Sequence, residues 1–237
     1  PPTVQRVGYV ASYWLQMVTV LSFLVLLPVG EHFHIVTALP ALYFRRGRPA
    51  NAVPAVDLES IMGEGTDADD LRVGARTALD LTWKDGLDVF TCTECGRCKD
   101  ACPTFLTGKP LSLKWVNDAV KHHLVDVGDS IKAGAADKLP SLVGGPISEE
   151  TLWSCTTCGY CEVACPIGIE HLSKFFRLRQ RQVMMEGEFP SELNKLFQAY
   201  ESAGNPWGLD AGSRGDWAKS LGVPEVSTPD EVAGLDY

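Results

Sequence analysis

Two short stretches with the same cysteine spacing constrain this chain more than any other feature. They read TCTECGRCKDACP (91–103) and SCTTCGYCEVACP (154–166), and they contain all eight cysteines of the 237 residues. Each has the form C-x2-C-x2-C-x3-C-P. In that spacing three thiolates wrap three corners of an iron–sulfur cube, and the fourth turns away to reach a second cube. The pattern therefore predicts two [4Fe–4S] clusters with crossed ligation.

Crossed ligation divides the cysteines into two sets of four. The first set, expected to hold the first cluster, is Cys92, Cys95, Cys98 and Cys165. The second set, expected to hold the second cluster, is Cys155, Cys158, Cys161 and Cys102. A zinc site would use two separated C-x2-C pairs instead. Neither run makes a site alone, so the repeat is expected to form one folding unit.

An uncharged segment precedes the cysteines. Residues 7–30 are 24 residues without a charge, which exceeds the roughly 20 needed to cross a hydrocarbon core. A second apolar run (33–44) is too short to span and is expected to be broken by Pro40. The basic cluster of Arg45, Arg46 and Arg48 then predicts that the far side is cytoplasmic. The alternative is the buried core helix of a soluble protein.

The charge distribution agrees with a membrane-attached start. Residues 1–48 carry a net charge of +3, while the rest of the chain carries 17 basic and 29 acidic residues. The overall charge of −9 argues against a nucleic-acid surface. A reducing, cytoplasmic setting for the acidic body also argues against disulfides. We expect the inner (cytoplasmic) membrane, with the cysteine region on the cytoplasmic side.

The remaining patterns predict a mostly α-helical protein: one transmembrane helix followed by an α-helical ferredoxin domain. Apolar residues at helical spacing predict helices over 112–128, ended by Gly128, and over 147–153, with Ser148 as its cap. Further helices are predicted over 169–187, with Lys174 and three arginines mostly exposed, and over 191–204. The predicted regions are a membrane helix and its exit (1–48), an acidic Pro/Gly linker (49–70), the two-cluster domain (71–187) and a C-terminal helix and tail (188–237).

The histidines after the apolar segment suggest a further site. Gln16 and His34 are 18 residues apart, or five helical turns, so an unbroken helix would place both on one face. A histidine near a membrane helix indicates function, and haem iron is one user of such a ligand. An interfacial histidine packed against headgroups is the alternative. His122 and His123 are expected at the surface or core edge.

The cysteine region and its flanks resemble a known family. The stretches TWKDGLDVFTCTECGRCKDACP, TGKPLSLKWVNDAVKHHL, LWSCTTCGYCEVACPIGIEH and EHFHIVTALPALYFRRGRP are similar to iron–sulfur oxidoreductases related to the catalytic subunit of membrane-bound heterodisulfide reductase. Among these, the resemblance is strongest to electron-transferring-flavoprotein:menaquinone oxidoreductases. In that group a cytochrome-b-like membrane domain, similar to the gamma subunit of respiratory nitrate reductase, precedes the two-cluster domain.

The resemblance implies cofactors and partners. It implies His34 as a haem b ligand, with menaquinone nearby, although glutamine stands at position 16 where the family often has a second histidine. It implies further membrane helices and a cysteine-rich CCG domain, in the same polypeptide or in a partner subunit. Because the chain opens at Pro1 and has no cysteine after Cys165, we expect it to be part of a longer protein. An electron-transferring flavoprotein or similar donor is the implied soluble partner.

These observations favour the electron-transfer part of an oxidoreductase, with no substrate-transforming site visible in the chain. Single electrons would pass between a cytoplasmic donor and membrane haem b or menaquinone. Two alternatives remain open. One is an iron–sulfur subunit of a heterodisulfide or sulfur-metabolising reductase, and the other is a membrane-tethered iron–sulfur sensor or structural protein. The direction of electron flow does not follow from cysteine spacing.

Overall fold

The structure, a computed structural model, describes residues 2–30, 32–47, 52, 56, 59, 73–135 and 138–223. Within those residues the protein is helical and forms no β-strand, only an isolated bridge between Val143 and Ile147. The α-helices are α1 (Pro2–Leu26), α2 (Phe33–Tyr43), α3 (Trp83–Thr91), α4 (Arg97–Asp100), α5 (Pro103–Leu106), α6 (Leu113–Lys132), α7 (Glu149–Ser154), α8 (Tyr160–Val163), α9 (His171–Arg181), α10 (Leu193–Ala203) and α11 (Asp216–Lys219). Short 3₁₀ turns lie at Ala78–Asp80 and Ala211–Gly215, and a π-turn at Gln182–Glu186 extends α9.

Local capping explains where several helices begin and end. Ser148 accepts a hydrogen bond from the backbone N–H of Thr151 and caps α7, as the sequence predicts. Thr82 and Asp85 form a reciprocal capping box at the start of α3. Gly187, in the left-handed conformation, ends the α9 segment, which matches the predicted end. These caps fix the helices that flank both cysteine runs.

One predicted helix end is wrong. Helix α6 continues through Gly128 to Lys132, because an internal glycine costs only about 1 kcal/mol relative to alanine. The turn beyond Gly128 offsets that cost through Ile131, which is partly buried and packs against the cluster of Ala78, Val127 and Leu139. Apolar contact made from distant parts of the chain therefore outweighs the local stop signal.

The core of the cysteine region is a single apolar cluster. Helices α3, α6, α7 and α9 contribute one face each, and the loop between α6 and α7 closes it. Its buried members include Val89, Leu113, Val116, Val120, Leu142, Ile147, Leu152, Phe175 and Leu178, together with Cys98, Cys102 and Cys161. Because three cysteines belong to the core itself, the packing of the domain also positions these three thiols.

Helix α1 is long and apolar enough to cross a membrane, and none of its residues is buried. Helix α2 follows after a turn and packs mainly on α3. Pro40 lies inside α2, so the expected break at this residue is wrong. A proline there removes one hydrogen bond, but packing of Thr37 and Ala41, both buried, holds the helix together.

Residues 188–237 form a separate compact unit, described as far as residue 223. Helix α10 begins at Leu193 and ends at Gly204, a left-handed residue, close to the predicted 191–204. The side chain of Asn205 accepts from the backbone of Trp207 and Leu209 and fixes the turn that follows. The predicted linker (49–70) lies almost wholly outside the described residues, and the division into four regions remains a prediction.

Candidate iron–sulfur sites

The first candidate site is a cavity between the two cysteine runs. Its empty volume, with the open solvent at its mouth included, is about 320 Å³. Three of its cysteines come from the first run and one, Cys165, comes from the second; the set is Cys92, Cys95, Cys98 and Cys165. Ile169 and His171 complete one wall. The structure therefore brings together the four residues expected to hold the first cluster.

The second candidate site repeats this arrangement in reverse. Its empty volume, with the open solvent at its mouth included, is about 270 Å³. Its cysteines are Cys155, Cys158 and Cys161 from the second run and Cys102 from the first. Leu111, Leu113 and Leu172 supply apolar walls. This is the set expected to hold the second cluster, and α4 and α8 contact each other between the two sites.

Each run folds into the same local shape. The first cysteine caps the C-terminus of a helix: Cys92 follows α3 and Cys155 follows α7. The two equivalent glycines, at positions 96 and 159, both have φ near +80° and start the short helices that carry the third cysteines. A left-handed residue at these positions turns the chain sharply, which glycine permits at least cost. The sharp turn points three successive thiols into one cavity.

The fourth cysteine of each run leaves its own loop. Cys102 caps α5, and Pro103 occupies the first helical position, where a missing N–H costs nothing. Cys165 accepts a backbone hydrogen bond at 3.5 Å from Ile169 N–H. These turns carry the fourth thiol away from its neighbours in sequence and into the other cavity.

The thiols affect one another across the runs. Burial, together with smaller contributions from repulsion by Cys92 and Cys165, raises the pKa of Cys98 to about 11. Burial likewise raises the pKa of Cys161. Four thiolates in an apolar cavity are therefore unfavourable unless a cation compensates them, as the irons of a cluster would. This chemistry fits a [4Fe–4S] cluster in each cavity.

The arrangement of the candidate ligands also distinguishes a zinc site from a cluster site. Within the described ranges, no three His, Cys, Asp or Glu residues are arranged to share a single metal ion. A mononuclear zinc site needs four ligands around one atom, whereas a cube presents a separate iron to each thiolate.

Buried polar groups surround the first site. Lys174 is 1% exposed, so the expectation that it lies at the surface is wrong. Its Nζ donates to Asn117 Oδ1 at 3.0 Å, and it faces the carboxylates of Asp85 and Asp88. Burial lowers the pKa of Lys174, and those carboxylates oppose the shift. A lysine is stable in this interior because its charge is compensated from α3.

Asn117 links this network to Cys92, one of the expected cluster ligands. Burial raises the pKa of Cys92, and hydrogen bonding from the Glu94 backbone and from the Asn117 side chain opposes that shift. Among the described residues, Asn117 Nδ2 has no partner of ordinary hydrogen-bond geometry, so its interaction with the sulfur is a weak one. His171 Nδ1 is likewise buried without a partner there. The first site thus has amide, imidazole and ammonium groups close to its ligands.

The second site has a different neighbour. Arg179 donates from Nη2 to the carbonyl oxygens of Leu152 and Cys155, both at 2.6 Å, and its guanidinium lies over the ring of Trp153. Burial lowers the pKa of Arg179, and the nearby Cys155 opposes this. The two cavities are therefore alike in their cysteines and unlike in their polar surroundings.

The segment that leaves α2 also reaches the first site. Arg46 N–H donates to Glu170 Oε1 at 2.9 Å, and Arg46 Nε lies 3.5 Å from Glu170 Oε2. Glu170 immediately precedes His171 at the start of α9. Arg48 lies outside the described residues. The basic cluster thus has a structural contact in the cysteine region as well as its proposed role at the membrane.

The expected alignment of Gln16 with His34 requires an unbroken helix, and the structure contradicts that. Helix α1 ends at Leu26 and α2 begins at Phe33, so the two residues lie on different helices. His34 is half-buried, with its ring 6.3 Å from that of His32. His122 is exposed and His123 half-buried, as expected. The haem assignment of His34 remains a prediction.

Comparison with known proteins points to iron–sulfur chemistry. Residues 84–166, which span both cysteine runs, match the family described as the 4Fe-4S dicluster domain. The chain is similar to iron–sulfur oxidoreductases. The probable iron-sulfur-binding oxidoreductase FadF of Bacillus subtilis is 31% identical over 93% of this chain.

Further relatives extend the comparison. The EtfAB:quinone oxidoreductase of Syntrophomonas wolfei is 29% identical over 95% of this chain. A probable membrane-anchored ferredoxin of Chromohalobacter salexigens is 31% identical over 67% of it. More distant matches are to one component of the CoB-CoM heterodisulfide reductases of two Methanosarcina species. The chain spans 35%, 34% and 26% of the length of the first three relatives.

The sequence analysis missed the buried polar residues beside the first site, although the pattern contains a signal for them. Asn117 lies one helical turn after Leu113, on the apolar face of α6, and Lys174 lies one turn before Leu178 on α9. A polar residue in the middle of an apolar stripe must have a buried partner. For both Asn117 and Lys174, the position on the core-facing side of the helix indicates burial, whereas the residue type does not.

Proposed function

We propose that this chain is the membrane-anchored iron–sulfur module of a quinone-linked oxidoreductase. It relays single electrons between a soluble donor, such as an electron-transferring flavoprotein, and haem b or menaquinone in the membrane. The observation that carries the proposal is the pair of adjacent cavities, each lined by three cysteines of one run and the fourth of the other. Two sites that share their ligands in this way form a relay with a fixed separation.

In this proposal the residues of the chain hold the two clusters, shield them from water and compensate their negative charge. Bound [4Fe–4S] clusters supply one-electron transfer. The cysteines fix their positions, and Leu111, Leu113 and Leu172 keep water from the second site. Around the first site, Lys174 and Asn117 place positive charge and N–H groups near the ligands. Because these groups are already ordered, electron transfer requires little rearrangement of the protein.

The membrane side of the proposal rests on α1 and its relatives. We propose that residues 7–30 span the membrane, with the basic cluster on the cytoplasmic side. The exposed, apolar surface of α1 and the similarity to a protein named as a membrane-anchored ferredoxin support this. Further membrane helices and a CCG-type domain, outside this chain, would complete the protein.

The haem assignment is part of the proposal. His34 would be an axial ligand of haem b, with the second ligand supplied by helices outside this chain. In support, Phe33, the residue before it, packs against Phe90, two residues before Cys92, with ring centroids 6.2 Å apart. The test is the b-type haem spectrum of the complete complex carrying His34→Ala or, separately, His32→Ala. Only His34→Ala should lose haem b. An unchanged haem content in His34→Ala would show that His34 is not a haem ligand.

The relay itself is tested with the complete, anaerobically purified protein in lipid. Iron and acid-labile sulfide should each approach about eight per chain, from two four-iron cubes. Reduced electron-transferring flavoprotein should then produce the electron paramagnetic resonance (EPR) signals of both clusters, and a menaquinone analogue should remove them. Stoichiometric zinc would refute the cluster sites. Clusters that exchange electrons with neither partner would favour an iron–sulfur sensor or structural protein.

A second candidate function has one observation in its favour. Similarity to a component of two CoB-CoM heterodisulfide reductases favours an iron–sulfur subunit of a heterodisulfide or sulfur-metabolising complex. The same experiment separates the two. Re-oxidation of the clusters by a heterodisulfide, and not by the menaquinone analogue, would support this alternative.

A further inference from the structure

We infer that the two sites have a fixed order relative to the membrane: the first site, which contains Cys165, is on the membrane side, and the second, which contains Cys102, is on the side of the soluble donor. This ordering rests on the proposed function, since it takes both sites to hold clusters. It follows from how the exit of α2 is attached to the cysteine region. Three separate contacts carry it.

The first contact is the ion pair between Arg46 and Glu170. The carboxylate of Glu170 accepts from Arg46 N–H and lies close to Arg46 Nε. Glu170 is itself 8% exposed, and its backbone N–H donates at 3.0 Å to Asp88 Oδ2. The Glu170 side chain thus ties the exit segment to the start of α9, and the Glu170 backbone N–H ties that start to α3. His171, the next residue, lines the first cavity.

The second contact involves the loop that carries Cys165. Gly168 N–H donates to Cys165 O at 3.2 Å, and the Arg45 side chain lies directly over Gly168. A Cβ at this glycine would be 2.6 Å from Arg45 Cδ, and its φ is +66°. The left-handed backbone favours glycine here, and a Cβ would also displace the Arg45 side chain from its present position. The exit segment rests on the turn that points the fourth thiol into the first site.

The third contact is between helices. Helix α2 packs mainly on α3, and Phe33 meets Phe90 edge to face at 6.2 Å. Helix α3 ends at Thr91, and Cys92 is its cap. The contacts of α2 and its exit therefore run to the segments bearing Cys92 and Cys165, the two ends of the first ligand set.

The second site is attached elsewhere. Cys155 caps α7, Cys102 caps α5, and Arg179 of α9 holds the carbonyl of Cys155. Because electron tunnelling weakens steeply with distance, the site joined to the membrane exit is the one able to exchange electrons with a membrane acceptor. The order along the relay is then donor, second site, first site, membrane.

The order is testable by distance rather than by turnover. The complete protein is placed in nanodiscs with or without lipids whose headgroups carry a gadolinium chelate, and the spin relaxation of each reduced cluster is measured. The signal of the first cluster is the one altered by Cys95→Ser, and that of the second is the one altered by Cys158→Ser. Relaxation of the first should be enhanced more strongly. Equal enhancement, or stronger enhancement of the second, would overturn the ordering.

A matched pair of variants tests the attachment. Glu170→Gln removes the charge that pairs with Arg46, and the difference in enhancement between the two clusters should shrink. Glu186→Gln is the control, because Glu186 forms equivalent ion pairs with Arg76 and Arg181 near the other end of α9, and it should leave the difference unchanged. An unchanged difference in Glu170→Gln would overturn the role given to this ion pair.

The nanodiscs without gadolinium separate two kinds of failure. If two cluster signals are present and a menaquinone analogue oxidises both, the proposed function stands, and a wrong relaxation order overturns only the inference. If two cluster signals are absent, the proposed function fails and the ordering fails with it.

Discussion

Lys174 Nζ donates a hydrogen bond to Asn117 Oδ1 at 3.0 Å, and both side chains are buried. An ammonium group is only a donor, so it selects the oxygen of the amide. The amide nitrogen is consequently turned away from Lys174, and the side chain interacts with the sulfur of Cys92. A lysine on α9 thus sets the orientation of an amide on α6 that acts on a cluster ligand.

This relationship predicts the reduction potential of the first cluster. Asn117→Asp keeps an acceptor for Lys174 but replaces the N–H groups with a carboxylate. A reduced cluster carries one more negative charge than the oxidised cluster, so the new carboxylate repels the reduced form more strongly. We therefore expect the reduction potential of the first cluster to fall, since hydrogen bonds and nearby charge set cluster potentials. EPR-monitored redox titration of the complete protein should show a lower potential for the first cluster and little change in the second.

Two further variants control that measurement. Lys174→Met should lower the same potential, but it leaves Asn117 Oδ1 without its buried donor and removes a positive charge from beside Asp85 and Asp88, which should cost on the order of 1–3 kcal/mol of stability. Lys132→Met also removes one positive charge, but from an exposed residue 15 positions further along α6 than Asn117, about 22 Å away. It should change neither potential. Equal shifts in both clusters for Asn117→Asp would contradict the assignment.

His171 predicts how stability depends on pH. Burial, with a smaller contribution from Lys174, lowers its pKa to about 3, against roughly 6.5 in the unfolded chain. Between those values the unfolded chain binds a proton that the folded protein does not, so stability falls as pH falls. From pH 7.5 to 5.5 the loss should be about 1.4 kcal/mol.

Thermal unfolding of the protein and of His171→Gln at both pH values measures this. For a chain of this size about 1.4 kcal/mol corresponds to roughly 3–6 °C, and the variant should lack that part of the shift. An identical pH dependence in both proteins would mean that His171 does not remain neutral in the folded state.

Substitution of Gly74 by alanine should strongly destabilise the fold. Gly74 has φ of +78°, and a Cβ would lie 2.4 Å from both Arg177 O and Arg181 N. Gly74→Ala should therefore combine a left-handed backbone cost of about 1–2 kcal/mol with an overpacking cost of about 1–3 kcal/mol. Chemical denaturation measures the sum.

Gly144→Ala is the matched control. Its φ is +79°, but nothing lies within 4 Å of the added Cβ, so only the backbone cost applies. The difference between the two variants is the cost of the close approach between the 73–75 segment and α9. Equal destabilisation would show that this approach relaxes without penalty.

The cysteine pattern indicated which cysteines line each cavity, because the shape of each loop follows from its local spacing and this spacing is typical of a fourth cysteine that serves the other site. That these cysteines bind clusters remains a prediction. Local signals also placed Ser148 as a cap and Gly187 as a helix end. They failed at Pro40, Gly128 and Lys174, where contacts from residues distant in sequence decide the outcome.

Lys174 shows the physical reason. A lysine on a helix is usually solvated, and its burial here depends on Asn117 and on two aspartates of α3, more than 50 residues away. Nothing in the neighbourhood of Lys174 in sequence specifies those partners. The contact between Arg46 and Glu170 could not be predicted from the sequence for the same reason, since 124 residues separate them.

The most direct test of the account compares which EPR signal is altered by each of four serine variants of the complete protein. Cys95 and Cys158 are the exposed second cysteines of their runs, and each marks the cluster of its own run. Crossed ligation predicts that Cys165→Ser alters the same signal as Cys95→Ser, and that Cys102→Ser alters the same signal as Cys158→Ser. If Cys165→Ser instead alters the signal marked by Cys158→Ser, the sites are not shared between the runs and the account is contradicted.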